Sequence, residues 1–178
     1  MKFLIASDLH GSFYYAKKLI ERFNDEGADK LVLLGDIYNH GPRNPLPSEY
    51  SPMQVAEVLN AVKDKLIVIK GNCDSAVDTM ISEFSFIEDA VIVSGGKSVF
   101  LTHGHVYNKN AMPKSLFDAI IYGHFHTCFI ERLGNMIVAN AGSLSLPKGG
   151  TPNSYMTLEE NKLALKTIDG TIIDTIEI

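Results

Sequence analysis

The sequence predicts an α/β protein in which a parallel βαβ half is followed by a strand-rich half, the two forming two sheets of one core. Three observations carry the prediction. In the first half, short apolar runs alternate with segments that repeat at helical period. In the second, short apolar runs are joined by turns such as Gly95-Gly96, Gly134-Asn135 and Asp169-Gly170. The composition, 46% hydrophobic and 21% charged over 178 residues with 14 Gly and 7 Pro, excludes disorder, collagen and a long coiled coil. A chain of this length buries about 70% of the surface its unfolded form exposes, so a single domain over residues 1–178 needs no staple.

Lys2 to Ser7 is the first apolar run, and it meets Asp8-Leu9-His10-Gly11 at once. Phe13, Ala16, Leu19, Ile20 and Phe23 then share one helical face, Lys17, Lys18, Glu21, Arg22 and Asp25 take the other, and Gly27 stops the helix. Leu31 to Leu34 is the second run, closed by Gly35-Asp36. A strand, a helix and a strand make a parallel crossover unit, which puts Asp8 and Asp36 at carboxyl ends, the edge where open α/β sheets bind ligands. Residues 38–52 hold four of the 7 prolines and form a stiff loop directly after Asp36. Met53, Val55, Ala56, Leu59 and Val62 mark a second helix, and Leu66 to Lys70 a third parallel strand closed by Gly71-Asn72-Cys73-Asp74. Short strands follow at Val91–Ser94, Ser98–Thr102, Ala119–Tyr122, Phe129–Arg132, Met136–Asn140, Ser154–Leu158, Leu163–Ile168 and Thr171–Ile176. They imply a mixed or antiparallel sheet. No linker, internal repeat or charge block separates the halves.

The 16 basic and 21 acidic residues leave a formal charge of -5, so no strong binding to genomic DNA is expected. The opening apolar run is too short for a signal peptide or a membrane span. Cys73 and Cys128 lack the dense spacing of a secreted scaffold and read as reduced thiols, which predicts a cytoplasmic protein without a membrane partner. Cys128 beside Phe129 reads as core. Exposed strands of the second half could pair between subunits, so a homo-oligomer is compatible with the sequence.

The chain has 6 histidines, and four of them form two His-x-His pairs, His103/His105 and His124/His126, each following an apolar strand and flanked by glycine. Glycine lets the backbone approach a metal or phosphate closely, and imidazoles at strand ends are held rigidly enough to fix coordination. With Asp8-x-His10, Gly35-Asp36 and Gly71-Asn72-x-Asp74, successive strand ends deliver oxygen and imidazole donors. Six or seven such donors are too many for one tetrahedral zinc, and the thiolates are too few for a structural one. They suit two adjacent divalent ions with an Asp between them and open positions for water and substrate.

With that constellation the sequence resembles the calcineurin-like metallophosphoesterase superfamily, and within it the small bacterial and archaeal phosphodiesterases of the YfcE type. The motifs run in the superfamily's order from Asp8 to Ser143. The resemblance implies that Asp8, His10, Asp36 and His126 bind one metal and that Asp36, Asn72, His103 and His124 bind the other, Asp36 being the bridge. It implies a four-layer α/β-β/α sandwich, two mixed sheets face to face flanked by helices. Asn140-Ala141-Gly142-Ser143 looks like the superfamily's Asn-Pro-Gly-Ser segment, with Ala141 replacing proline in a way that leaves the turn less rigid but touches no ligand.

A second departure lies at Cys73, where many members carry a histidine thought to protonate the leaving group. A thiol is mostly protonated at neutral pH but donates weakly, so either His105 substitutes or Cys73 simply lines the pocket. His40 and Arg43 sit in the proline-stiffened loop, where a guanidinium could grip a phosphate oxygen. The expected activity is a dinuclear metal-dependent phosphodiesterase, hydrolysing a small phosphodiester by in-line attack of a metal-bridging hydroxide, with Asp36, Asn72, Cys73 and His105 near the chemistry and Asn72, Arg43 and His40 on the substrate. Few basic residues stand near the motifs, which leans towards diesters over monoesters. Mn2+ is the foremost metal, and Asp, Asn and His donors also accept Zn2+, Fe2+ or Ni2+. The alternatives are a phosphomonoesterase or nucleotide pyrophosphatase on the same metal pair, and a retromer-like protein-binding scaffold.

Overall fold

A computed structural model describes all residues from Met1 to Ile178. The first half follows the predicted order: β1 (Lys2–Ala6), α1 (Phe13–Asp25), β2 (Lys30–Leu33), α2 (Pro52–Asn60) and β3 (Leu66–Ile69). A two-residue strand, β4 (Phe86–Ile87), and the 3-10 turns Lys63–Lys65 and Ala76–Met80 are too short for any periodicity to announce. Then come β5 (Ala90–Ser94), β6 (Lys97–Leu101), β7 (Ala119–Tyr122), β8 (Cys128–Leu133), β9 (Met136–Ala141), β10 (Ser154–Glu159), β11 (Lys162–Thr167) and β12 (Ile172–Glu177). No helix is long and apolar enough to cross a membrane.

The strands form two mixed sheets, β12-β11-β10-β1-β2-β3-β4 and β5-β6-β7-β9-β8. This corrects the expectation that each half of the sequence makes its own sheet. β1 pairs with β2 in parallel on one side, and β10 returns to its other edge in antiparallel register, Lys2 opposite Glu159 to Ile5 opposite Met156. An unpaired edge at β1 would strand buried backbone groups at the centre of the molecule, and the returning strand satisfies them.

Side-chain alternation assigns the two faces of β1. Phe3 and Ile5 point between the sheets, where they meet Val32, Leu34, Leu101, Ile121 and Ala139, whereas Leu4 and Ala6 point outward with Leu31 and Leu33 under the helices. Both faces are buried, which is why β1 and β2 read as continuous apolar runs. From α1, Ala16, Leu19 and Phe23 pack on the outer face; from α2, Val55, Ala56 and Leu59 do, while Met53 of the expected apolar stripe is exposed. Ser12 caps α1 by accepting from the Tyr15 amide at 3.3 Å.

The four layers are unequal. Both helices lie on the seven-stranded sheet, and the outer face of the five-stranded sheet, at Phe100, Ile120, Tyr122 and Val138, is covered by Tyr107, Met112 and Phe117 of the irregular segment between β6 and β7. That segment contains Gly104, Asn108, Asn110 and Pro113 and no helical-period stripe, so it cannot supply a helix. β1, β2 and β3 are parallel, as are β6 and β7. The loops leaving their carboxyl ends carry every residue predicted to hold metal.

Candidate metal centre

Asp8, which follows β1, is fully buried with φ 55°. Its carbonyl accepts from the hydroxyls of Ser143 at 2.8 Å and Ser145 at 3.1 Å, and its Oδ2 accepts from the His124 amide at 2.9 Å. Ser143, of the Asn140-Ala141-Gly142-Ser143 segment, thus holds the backbone of a candidate ligand. Oδ1 of Asp8 is buried with no hydrogen-bond partner. It lies 3.2 Å from Nε2 of His126 and 3.6 Å from Nε2 of His10.

Three imidazoles have their tautomer set from behind. Nδ1 of His10 meets the Asn39 carbonyl at 2.7 Å, Nδ1 of His103 the Leu34 carbonyl at 2.6 Å, and Nδ1 of His126 the Leu146 carbonyl at 2.6 Å. A carbonyl only accepts, so each Nδ1 keeps its proton and each neutral ring presents an Nε2 lone pair to the centre. Those lone pairs face other acceptors. Nε2 of His10 and Nε2 of His126 are 3.1 Å apart, and Nε2 of His103 is 3.0 Å from Oδ1 of Asn72 and 3.3 Å from Nδ1 of His124. Asp36 stands between the two groups, Oδ2 3.8 Å from His10 Nε2 and Oδ1 3.5 Å from His103 Nε2.

This donor set fits divalent cations on its own chemistry. The Nε2 lone pairs of His10 and His126 converge with no proton between them, and an orphaned carboxylate oxygen lies in the same buried spot. Without a cation, the relief is protonation. Burial pushes the Asp8 carboxyl up, but the facing rings of His10 and His126 and the charge of His103 outweigh it and hold it well below the usual carboxylate range. Burial likewise pushes His10 down, and Asp8 outweighs it to leave the ring above its ordinary value. His124 is pushed down by burial and by the charge of His103.

The backbone is strained where the donors sit. Asp8, His10, Asp36, His124 and His126 all have φ between 51° and 65°, in the left-handed region that only two other non-glycine residues of the chain, Glu49 and Glu160, occupy. Glycine does a different task here from the expected approach to metal or phosphate. A Cβ on Gly71 would overlap Oδ1 of Asp36, and one on Gly123 would overlap the Ser7 hydroxyl and come within 2.5 Å of Asp8 Oδ2. Both glycines let one strand-end loop pack against the ligand of another.

Asp74, counted from sequence among the strand-end donors, faces away from the centre. Its carboxylate accepts from the amides of Asp36 and Ile37 at 2.8 Å each and of Gly71 at 2.7 Å, clasping the loop after β2 to the loop after β3. Cys73 does reach the centre. Its amide donates to Asp36 Oδ1 at 2.8 Å and its Sγ lies within 4.8 Å of donor atoms of His10 and Asp36. Burial, then the nearby Asp36 and Asp74, push the thiol up to about 12.

A cavity of about 700 Å3 opens beside Asp36, Asn72, His124 and His126. Arg43 and Cys73 line it. His40 does not: its ring packs edge-on against Tyr50 with centroids 5.4 Å apart, and its Nδ1 is buried, so the stiff loop turns it away from the substrate position assigned from sequence. His105 is exposed, its ring 5.4 Å from His103 and 6.2 Å from His124, and it does not line the cavity either. Sequence reasoning missed Lys148, which lines the cavity through a turn that donates its amide to the His126 carbonyl at 2.8 Å. The only local signal is the Pro147-Lys148-Gly149-Gly150 turn shortly after Asn140-Ala141-Gly142-Ser143.

Fold and site together define a metal-binding α/β sandwich whose donors sit on loops at the carboxyl ends of two facing sheets. The chain belongs to the calcineurin-like phosphoesterase superfamily, whose domain model matches residues 1–163. It is 42% identical over 167 residues to phosphodiesterase YfcE of Escherichia coli K12, covering 93% of this chain and 91% of that protein. The solved structure of the E. coli phosphoesterase YfcE superposes with a TM-score of 0.95 at 41% identity over 100% of both chains. Wild-type Vps29 of Entamoeba histolytica, solved with zinc, shares the fold at a TM-score of 0.63 and 19% identity, over 99% of each chain.

Proposed function

We propose that this protein is a dinuclear metal-dependent phosphodiesterase acting on a small phosphodiester. The observation that carries the reading is the convergence of imidazole lone pairs and carboxylate oxygens on two sides of Asp36, beside an open polar cavity. The relationship to a phosphodiesterase over most of the chain supports the choice of ester. The scaffold alternative draws only on the shared fold of Vps29.

Asp8, His10, Asp36 and His126 would hold one cation, and Asp36, Asn72, His103 and His124 the other. Two divalent cations at such a site supply Lewis acidity, acidifying water and neutralising phosphoryl charge. The protein's own part is preorganisation. The carbonyls of Leu34, Asn39 and Leu146 keep protons at Nδ1, so that Nε2 lone pairs remain inward, and the strained backbone at the five donors fixes their directions. Asn72 and Arg43 line the cavity, Asn72 beside the metal donors to bind a phosphoryl oxygen and Arg43 as a guanidinium for the substrate's phosphate charge. Cys73, which lines the cavity, would face the departing oxygen as a weak donor, whereas His105 is exposed and does not line the cavity.

Metal analysis followed by a substrate panel tests the reading. Two ions per chain, with Mn2+ the expected best activator, and faster hydrolysis of bis(4-nitrophenyl) phosphate than of 4-nitrophenyl phosphate are the expected results. Faster turnover of the monoester would reassign the enzyme as a phosphomonoesterase. Absence of metal with no hydrolysis of either would remove the enzymatic reading.

A further inference from the structure

Beyond the metal donors, the cavity has an unusual lining. Its volume of about 700 Å3 is within the range of about 300–1,000 Å3 typical of small-molecule sites, far more than one phosphoryl group fills. Such sites are ordinarily apolar and aromatic. Here only one of 12 lining residues is hydrophobic, and there is no phenylalanine, tyrosine or tryptophan. Its only rings are the imidazoles of His124 and His126, which belong to the donor set, so a nucleobase would find no further ring to stack on.

What the cavity does offer is amides and free cations. Oδ1 of Asn39 is occupied by the Gly41 amide at 2.8 Å, which leaves its Nδ2 to donate, and Nδ2 of Asn44 is occupied by the His40 carbonyl at 2.9 Å, which leaves its Oδ1 to accept. One donor and one acceptor suit alcohol hydroxyls. Arg43 and Lys148 also line the cavity, and neither has a carboxylate within 4.0 Å. Nine of the 16 basic side chains of this chain, by contrast, are paired with a carboxylate. Lys17, Lys63, Lys97 and Lys109, all on exposed surface, are paired with Glu49, Glu83, Asp118 and Glu131. In a protein of net charge -5, two unpaired cations at one cavity are a local reversal of the surface charge.

Both are mounted on fixed turns. The Arg43 turn is closed by the Asn44 amide on the Gly41 carbonyl at 3.1 Å and flanked by Pro42 and Pro45. The Lys148 turn is closed by the Thr151 hydroxyl on the Lys148 carbonyl at 2.8 Å. Only the side chains are free to move onto a ligand.

We infer that the substrate is a phosphodiester whose retained alcohol is rich in hydroxyls and carries a second anionic group, such as a polyol or sugar phosphate, selected by Lys148 and Arg43. The inference rests on the phosphodiesterase reading. The metal pair attends to the scissile phosphate, and the two side chains, lining the same cavity, provide positive potential for the second anion.

Three diesters with one 4-nitrophenol leaving group test it, the other alcohol being ethanol, the 5′-hydroxyl of thymidine or glycerol phosphate. With Mn2+-loaded protein at low salt, kcat/KM for the glycerol phosphate diester should exceed the other two by about tenfold, and the preference should shrink to about twofold in high salt. K148Q and R43Q should each lower the preference about threefold. Substitution of Lys114, also unpaired but away from the cavity, should leave it unchanged. Equal rates on all three diesters, a preference for the thymidine diester, or a preference that neither substitution moves would overturn the inference and leave the phosphodiesterase reading standing. Failure to hydrolyse any of the three would overturn both.

Discussion

The Nε2 atoms of His10 and His126 lie 3.1 Å apart, and neither neutral ring has a proton there to give the other. Each has spent its Nδ1 proton on a backbone carbonyl, of Asn39 and of Leu146. Two lone pairs that close repel, and Oδ1 of Asp8 adds a third acceptor 3.2 Å from His126. Metal binding removes this repulsion, so stability and metal content are linked. At a metal excess of about 100 Kd, Mn2+ or Zn2+ added to chelator-stripped protein should raise Tm by about 5–10 °C. Differential scanning calorimetry would read it, and an unchanged Tm would show that the cluster is content without cations.

Asp36 has one carboxylate oxygen towards each group of imidazoles. Asp36→Asn replaces a carboxylate with an amide that cannot serve two cations. Metal content should fall to one ion or fewer per chain, with turnover down by about a thousandfold or more. A variant that kept both ions and near-normal turnover would remove Asp36 from the bridging position.

Gly123 makes a purely steric prediction, because its backbone is one that any residue can adopt. Gly123→Ala should displace Asp8 and lower metal affinity by about 10- to 100-fold. Gly134, in the turn between β8 and β9, has open space around it but φ 61°, so Gly134→Ala should cost about 1 kcal/mol of stability and leave metal binding intact. Equilibrium metal titration of both variants separates the two effects.

The carboxylate of Glu26, at the end of α1, accepts from Lys2 at 2.9 Å, Tyr155 at 2.7 Å and Lys166 at 2.6 Å. Its burial pushes the carboxyl up, but Lys166, Tyr155 and Lys2 outweigh that and bring it from 4.5 to about 2. With the folded value below the unfolded one, the stabilisation is complete above pH 4.5 and is lost as the pH falls through about 2. Glu26→Gln should therefore be less stable than wild type by roughly 2 kcal/mol at pH 7, the gap closing in that acid window. Urea unfolding at several pH values checks it; a gap independent of pH would mean the cluster stabilises by packing alone.

Cys73 sits close to the donors of His10 and Asp36, and a thiol is a weak hydrogen-bond donor. A weak donor helps a poor leaving group little, so hydrolysis should depend steeply on the acidity of the leaving alcohol. Cys73→His should flatten that dependence. Equal and shallow slopes over a series of aryl and alkyl diesters would return Cys73 to a pocket-lining position and hand the proton to another group.

The sequence by itself determined the βαβ frame, nearly every strand, and which residues hold donor atoms, because these follow from local period and from side-chain chemistry at strand ends. The His-x-His pairs and Asp8-x-His10 are legible in the sequence alone. Tertiary structure decided what depends on groups distant in sequence. β10 closes on β1 across some 150 residues, a pairing for which no local pattern codes. The left-handed backbone of the donors is held by remote bonds, such as those from Ser143 and Ser145 to the Asp8 carbonyl. Asp74 and Asn72 come from one tetrapeptide, yet one clasps three backbone amides and the other faces His103, a division set by the crossing of the loops after β2 and β3. His40 and Lys148 exchange places for the same reason. A charged or polar side chain on a loop acquires its role from where the loop's backbone is pinned, and both turns are pinned by groups elsewhere in the fold.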